Sequence, residues 1–373
     1  MPRGLHAAGP YALNPHITTT YAAPQGFAEK VPHSPRRTNL PKAAPYPLPA
    51  SSLYNPSMST TRLAPSPTGA LHLGNARTFL VNWLLARQNR WRIVLRIEDL
   101  DGPRVKKAAD RLAIDDLQWL GIDWDEGPVY QSTRMSLYRS AVQRLLDSGQ
   151  AYPCVCSRSE VNTAASAPHA EDGAPVYPGT CRGRFATIRD AEDATGRPPA
   201  VRFLVPPATV EFTDAVRGPQ SADPHSQLGD FVIAKGDGTP AYQLAVVVDD
   251  ADMGITDVVR ADDLLDSTPR QILLYRALRL ADRQPRFCHL PLVVGQDGKR
   301  LAKRHGDTRL AYYRAEKVSA GRVLQLLARW SGMPVDSEPN SAAELVGRFD
   351  LASMPREKIV FSADDDRWLR ARP

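Results

Sequence analysis

The sequence predicts an α/β fold built on a parallel sheet. Three observations carry that expectation. Strand-like and helix-like segments alternate from Thr60 onward, an apolar strand ends in a cluster of carboxylates, and a turn broken by Pro65, Pro67 and Gly69 leads into a helix start. Strands alternating with helices of this length imply right-handed crossovers.

TRLAP (61–65) reads as a strand and ARTFLVNWLLARQ (76–88) as an amphipathic helix. WRIVLRIEDLD (91–101) is a strand with Trp91, Ile93, Leu95 and Ile97 on one face. KKAADRLAIDDLQWLG (106–121) is a helix stopped by Gly121, and SLYRSAVQRLLDSGQ (136–150) is another stopped near Gly149. After Ala151 the character changes. Residues 157–183 are rich in Ala, Pro, Gly and Ser, and AVRFLVP (200–206), TVEFTDAV (209–216) and DFVIAKGDGTPAYQLAVVVDD (230–250) read as short β-like runs. PRQILLYRALRLA (269–281) resumes helical character, and FCHLPLVVG (287–295) is a buried-strand candidate. The expected organisation is a main domain in two halves, 58–139 and 241–310, an inserted α+β subdomain at 140–240, and a short helical region at 311–373.

Residues 1–57 read as a separate, disordered extension. They hold 11 of the 33 prolines and a single acid, Glu29, without sustained period. Met58 opens directly on the first strand and is a candidate natural start. The remaining composition, 42% hydrophobic and 24% charged, is that of a globular protein. No apolar run approaches the roughly 18–20 residues of a membrane span, so no membrane partner is expected. No signal peptide is visible, and a cytoplasmic location is the expectation. The chain is read as a monomer. A net charge of +6 is compatible with a polyanionic partner such as RNA.

Four groups of residues carry chemistry. The first is RLAPSPTGALHLGNART (62–78), whose turn collects Ser66, Thr68, His72 and backbone N–H groups beside a helix N-terminus, an arrangement that favours a phosphate. The second is GKRLAKRHG (298–306), where clustered cations suit the charge of a triphosphate, although a solvated basic loop has the same composition. RIEDLD (96–101) sets Glu98 at the carboxyl end of a strand, where ligands of open α/β sheets sit, and leaves Asp99 and Asp101 to cap the next turn or pair with Arg104. The fourth group is Cys154, Cys156 and Cys181, with Tyr177 four residues before the last. Three thiolates suggest zinc, and the fourth ligand is open between Tyr177, His169, Asp172 and water. Cys288, in an apolar strand, reads as an inert core thiol.

APSPTG-x-x-HLGN-x-RT resembles the first nucleotide-binding signature of class I aminoacyl-tRNA synthetases, in their glutamyl branch. Arg300-Leu301-Ala302-Lys303-Arg304 is similar to the mobile second signature, with Arg and Ala where the family has Lys and Ser. ITDVVRADDL (255–264) resembles a further segment of the branch, with Ala261 where Gly is more usual. The resemblance implies a Rossmann-like catalytic fold and ATP, with Mg²⁺, as substrate. It implies phosphate contacts from His72, Gly74, Asn75, Arg300 and Lys303, with His72 and Lys303 catalytic. It further implies a glutamate site of Arg62, Ser66, Glu98, Tyr242 and Arg260. A substrate with two carboxylates suits Arg, which pairs bidentately with each.

Cys-x-Cys…Tyr-x3-Cys is similar to the zinc site of many glutamyl-queuosine tRNA(Asp) synthetases, which implies Tyr177 as the fourth ligand. Some 65 residues follow the second signature, and the anticodon-reading helical region of a discriminating glutamyl-tRNA synthetase is not expected in them. The resemblance therefore implies that glutamate is activated as its adenylate and transferred to queuosine in tRNA(Asp). A glutamyl-tRNA synthetase charging tRNA(Glu) and a catalytically silent regulator are the alternatives.

Overall fold

In the computed structural model, residues 58–100, 102, 105, 108–164, 176–301 and 305–371 are described. The expectations for 1–57, Asp101, Arg104, His169, Asp172, Ala302, Lys303 and Arg304 lie outside them. β1 (Thr60–Leu63) is buried along its whole length and runs into the turn before α1 (Leu73–Gln88). Leu80 to Ala86 are buried without a break, so α1 is enclosed rather than amphipathic. One side faces the sheet. On the other, Gln88 Nε2 donates to the carbonyls of Val346 and Phe349, both at 2.6 Å. β2 (Arg92–Ile97), α2 (Ala109–Trp119) and β3 (Glu126–Tyr130) follow, and β1, β2 and β3 pair in parallel in that order. Gly121 (φ 70°) and Gly149 (φ 68°) take the left-handed conformation that ends α2 and α3 (Met135–Asp147).

The middle of the chain holds β4 (Ala151–Cys154), α4 (Arg158–Ala164), α5 (Ile188–Thr195), β5 (Ala200–Phe203), β6 (Val210–Asp214), β7 (Gly218–Ala222), α6 (Pro224–Gln227) and β8 (Phe231–Ala234). β4, β5 and β8 form an antiparallel sheet of their own. The hairpin β6–β7 does not join it. β6 pairs in parallel with β10, so a piece of the 140–240 stretch extends the main sheet.

α7 (Tyr242–Asp252) corrects an expectation, since 242–250 read as β-like. Leu244 to Asp252 are all buried, and a helix enclosed on every side has no polar face to reveal its period. β9 (Asp257–Ala261), α8 (Thr268–Ala277), β10 (Arg286–Leu290) and β11 (Val293–Val294) follow. α9 (Leu310–Ala315), α10 (Ala320–Trp330), β12 (Ile359–Val360) and α11 (Ala363–Arg370) complete the chain, with β12 parallel to β11.

β9 and β10 pair in parallel, and β9 lies beside β1: Thr256 N donates to the Thr60 carbonyl at 2.9 Å, and Thr60 N to Thr256 Oγ1 at 2.8 Å. From this seam the strands run outward in both directions, to β2 and β3 on one side and to β10, β6 and β7 on the other. Such a reversal leaves a crevice at the carboxyl ends of the strands. No helix among the described residues is long and apolar enough to cross a membrane.

Candidate functional site

That crevice is a cavity of about 510 Å³. Arg62, Ser66, Glu98, Tyr242 and Arg260 all line it, together with His72, Asn75 and Arg300. Five residues separated by up to 198 positions are thus brought together by the ends of β1, β2 and β9 and the start of α7.

The arginines are held from beneath. Arg62, 4% exposed, sends Nη1 to the Val259 carbonyl (3.3 Å), and its Nε lies 3.5 Å from Asp250 Oδ1. Arg96 is fully buried and bridges Asp250 (2.6 Å) and Glu98 (3.1 Å). Asp249 continues the network to Arg134, Gln131 and Tyr138 at 2.7–3.0 Å. Burial pushes the Glu98 carboxyl above its ordinary range, against the pull of Arg96 and Arg62. A cationic ligand at that carboxylate would reverse the shift. Arg96, Asp249 and Asp250 were not singled out in the sequence. Their signal was a charge inside an otherwise apolar run, RIVLRI and LAVVVDDAD. Asp99 was expected to cap the turn that follows it, but it accepts instead from Ser132 N (2.8 Å) and Oγ (2.5 Å), in the helical turn after β3.

Arg260 has a separate support. Its Nε donates to His289 Nε2 (2.9 Å) and its Nη2 to Thr268 Oγ1 (2.9 Å) and the Leu264 carbonyl (3.4 Å). His289 and Asp214 were likewise not singled out by the sequence.

The expectation that free helix-start amides hold a phosphate needs correction. His72 is the N-cap of α1, and its Nδ1 accepts from Gly74 N (3.1 Å) and Asn75 N (3.3 Å). Leu73 N donates to the Thr308 carbonyl, and Ala76 N to that of His72, both at 3.0 Å. The first-turn donors are therefore spent within the chain. With Nδ1 accepting, the ring proton sits on Nε2. Burial, then the nearby Arg300, lowers the His72 pKa to about 4, so the ring is neutral. Gly74 fits beneath it, since a Cβ there would lie 3.1 Å from the imidazole.

The segment just after the second signature is tied to the first, Leu73 N to the Thr308 carbonyl and Leu310 N to that of Leu71 (2.8 Å). Arg300 pairs with Asp263 at 2.9 Å on the cavity rim.

A second centre lies in the middle segment. The sulfurs of Cys154, Cys156 and Cys181 all lie within 4.8 Å of one another. Tyr177 Oη is 3.4 Å from Cys154 Sγ and 3.6 Å from Cys156 Sγ, and Cys156 and Cys181 are 3.5 Å apart. Sulfurs about 2.3 Å from one tetrahedral zinc stand roughly 3.8 Å apart, so the donor set fits that ion. Burial raises the Cys156 thiol to about 11, with the Tyr177 hydroxyl pulling the other way. Cys288 is buried as expected, and burial raises its thiol to about 12.

The family model for the catalytic domain of class I tRNA synthetases (E and Q) matches residues 58–360. The Glutamyl-Q tRNA(Asp) synthetase of Symbiobacterium thermophilum is 51% identical over 81% of this chain and 96% of its own length. The Glutamate–tRNA ligase of Citrifermentans bemidjiense is 42% identical over 83% of this chain and 65% of its own. Among solved structures, a glutamate tRNA ligase from Elizabethkingia meningosepticum in complex with its amino acid superposes with a TM-score of 0.71. It is 29% identical, over 83% of this chain and 68% of that one.

Proposed function

This chain belongs to the class I (E and Q) tRNA synthetases and is a ligase, and from that premise we propose that it activates glutamate with ATP and transfers it to queuosine in tRNA(Asp). The observation that carries the first step is the single cavity shared by five amino-acid-site residues, His72 and Arg300. Arg62 and Arg260 would pair with a carboxylate of glutamate, and Glu98 with its ammonium group, Tyr242 and Ser66 supplying hydroxyls. An oxygen of the α-carboxylate would then attack the α-phosphorus of ATP. A new C–O–P linkage forms as the bond to pyrophosphate breaks, giving glutamyl-adenylate. Holding the reactants in line supplies much of the rate.

His72 Nε2–H and the cations Arg300 and Lys303 would stabilise the phosphate charge, with Mg²⁺ on the nucleotide. Asn75 lines the same cavity. Gly74 would act by letting the His72 ring lie close, not by offering its N–H. We also propose that Cys154, Cys156, Tyr177 and Cys181 hold one structural zinc, which would staple the middle segment. The division into two catalytic halves, an insertion and a helical C-terminal region remains part of this reading.

The acceptor rests on the relatives named Glutamyl-Q tRNA(Asp) synthetase, which reach 51% and 44% identity and are matched over 96% and 97% of their lengths. Identity of 42% to a Glutamate–tRNA ligase supports the rival acceptor, tRNA(Glu). Labelled glutamate decides between them. It should appear on queuosine-containing tRNA(Asp), not on the unmodified form, and should survive removal of the 3′ adenosine. Efficient 3′ charging of tRNA(Glu) would establish the rival.

A further inference from the structure

We propose that Asp214 and His289 are a positioning pair for Arg260, fixing its guanidinium so that its remaining nitrogen, Nη1, serves the substrate carboxylate. The inference rests on the glutamate reading of the cavity and deepens it. Both residues are buried, His289 at 0% and Asp214 at 2% exposure. His289 Nδ1 lies 2.7 Å from Asp214 Oδ2, and His289 Nε2 lies 2.9 Å from Arg260 Nε.

The direction of the chain follows from valence. A guanidinium has no acceptor, so His289 Nε2 must present its lone pair and the ring proton must sit on Nδ1, donating to Asp214. An imidazolium would set N–H against N–H and put two cations in contact. Burial and the neighbouring Arg260 favour the neutral ring, against the pull of Asp214 and Asp262.

Asp214 is anchored in turn. Its Oδ1 accepts from Val216 N (2.9 Å) and Arg217 N (2.8 Å), and the His289 backbone N–H reaches the same carboxylate at 3.1 Å. Order therefore passes from the β6–β7 turn to Asp214, to His289 and on to Arg260. With Nε on His289 and Nη2 on Thr268 and Leu264, Nη1 is the nitrogen that takes no hydrogen bond among the described residues. Arg260 lines the cavity. The hairpin that joins the main sheet from the middle segment thus reaches the amino-acid site without touching the substrate. A side chain aligned in this way loses less freedom on binding, so the pair acts on glutamate affinity rather than on the chemical step.

Two measurements test it. ¹⁵N imidazole shifts of the wild-type chain should show His289 neutral, with its proton on Nδ1. The Nε2–H tautomer or an imidazolium overturns the proposal. In glutamate-dependent ATP–pyrophosphate exchange, His289→Leu, which lacks an acceptor, should raise the KM for glutamate about tenfold or more. Its kcat and its KM for ATP should stay near wild type. His289→Gln keeps an acceptor near the Nε2 position and should recover most of the affinity. Equal losses in both variants, or a loss confined to kcat, overturn the positioning role. Should His289→Leu fail to fold, the tautomer and the Gln variant still decide. Wild-type chain without glutamate-dependent exchange removes the glutamate reading, and the pair's role with it. Active wild type with an unmoved KM in the Leu variant removes the pair alone.

Discussion

Around the cavity, each arginine has its partner inside the protein. Arg62 and Arg96 share Asp250, Arg96 also holds Glu98, and Arg260 donates to His289. Around Cys154, Cys156 and Cys181 the donors face one another instead. Among the described residues one cation touches the cluster directly, Arg202, whose Nε lies 3.3 Å from Cys154 Sγ and whose guanidinium stacks 3.7 Å from the centre of the Tyr177 ring. One guanidinium does not balance three thiolates. Thiols this close ionise together only with a further cation among them. The contrast separates two ways of building a polar site. The cavity is arranged before any ligand arrives, and its charges are compensated by neighbours on the sheet. The thiol cluster is the proposed ligand set, three sulfurs that could ionise together only around a cation.

The largest effect should come from breaking the compensation beneath the cavity. Arg96→Met leaves Glu98 and Asp250 without their main buried partner. Removing one member of a buried ion pair costs about 3–5 kcal/mol, and denaturant unfolding should show a loss of that size. A loss below about 1 kcal/mol would mean that the network is not what orders the pocket. Next in size are the arginines of the cavity wall. Arg260→Ala and Arg62→Ala should each lower kcat/KM for glutamate by roughly 1.5–3 kcal/mol, the worth of a charge-assisted hydrogen bond, with the folded state retained by circular dichroism. Exchange at wild-type efficiency in both variants would remove them from the amino-acid site.

The thiol cluster gives the opposite expectation. The protein should carry about one zinc per chain by elemental analysis, and Cys156→Ser should reduce that content. Cys154, Tyr177 and Cys181 form a small cluster separate from the two main cores. Distant sites without shared partners act independently, so glutamate activation should change by less than about twofold. A chelated chain that keeps its fold and loses glutamate activation would show that the two centres are coupled.

How much of this was legible follows the same division. The signatures, the Cys-x-Cys and the carboxylates from Glu98 at the end of β2 are local patterns, visible wherever the residues stand close in sequence. The network was not. Arg96, Asp249, Asp250, His289 and Asp214 look like interruptions of apolar segments, and only the sheet shows that they meet beneath one cavity. The enclosed helix α7 misled for a related reason, and α1, correctly read as a helix, was wrongly expected to have a polar face. Leu80–Ala86 and Leu244–Asp252 are buried all round, and an element without a solvent face carries no period to read. The glycine stops at Gly121 and Gly149 were legible because their positive φ is a local demand on one residue.

The smallest expected change in stability tests whether the preorganised region extends to the first signature. Gly74 is the second residue of α1, and a Cβ there would lie 3.1 Å from both Cε1 and Nδ1 of His72 and 3.5 Å from Val293 Cβ. The 3.1 Å contacts are too tight by a few tenths of an ångström, so the ring must give. Ala is also the better helix former, by up to about 1 kcal/mol in a helix interior and less in a first turn. The two contributions oppose each other, and Gly74→Ala should leave global stability within about 0.5 kcal/mol of wild type. The displaced imidazole would move Nε2–H away from the phosphates it is proposed to meet. The KM for ATP should therefore rise by about two- to fivefold, a cost of under about 1 kcal/mol, while the KM for glutamate stays put. An unchanged KM for ATP would mean that His72 serves α1 as its cap and nothing more.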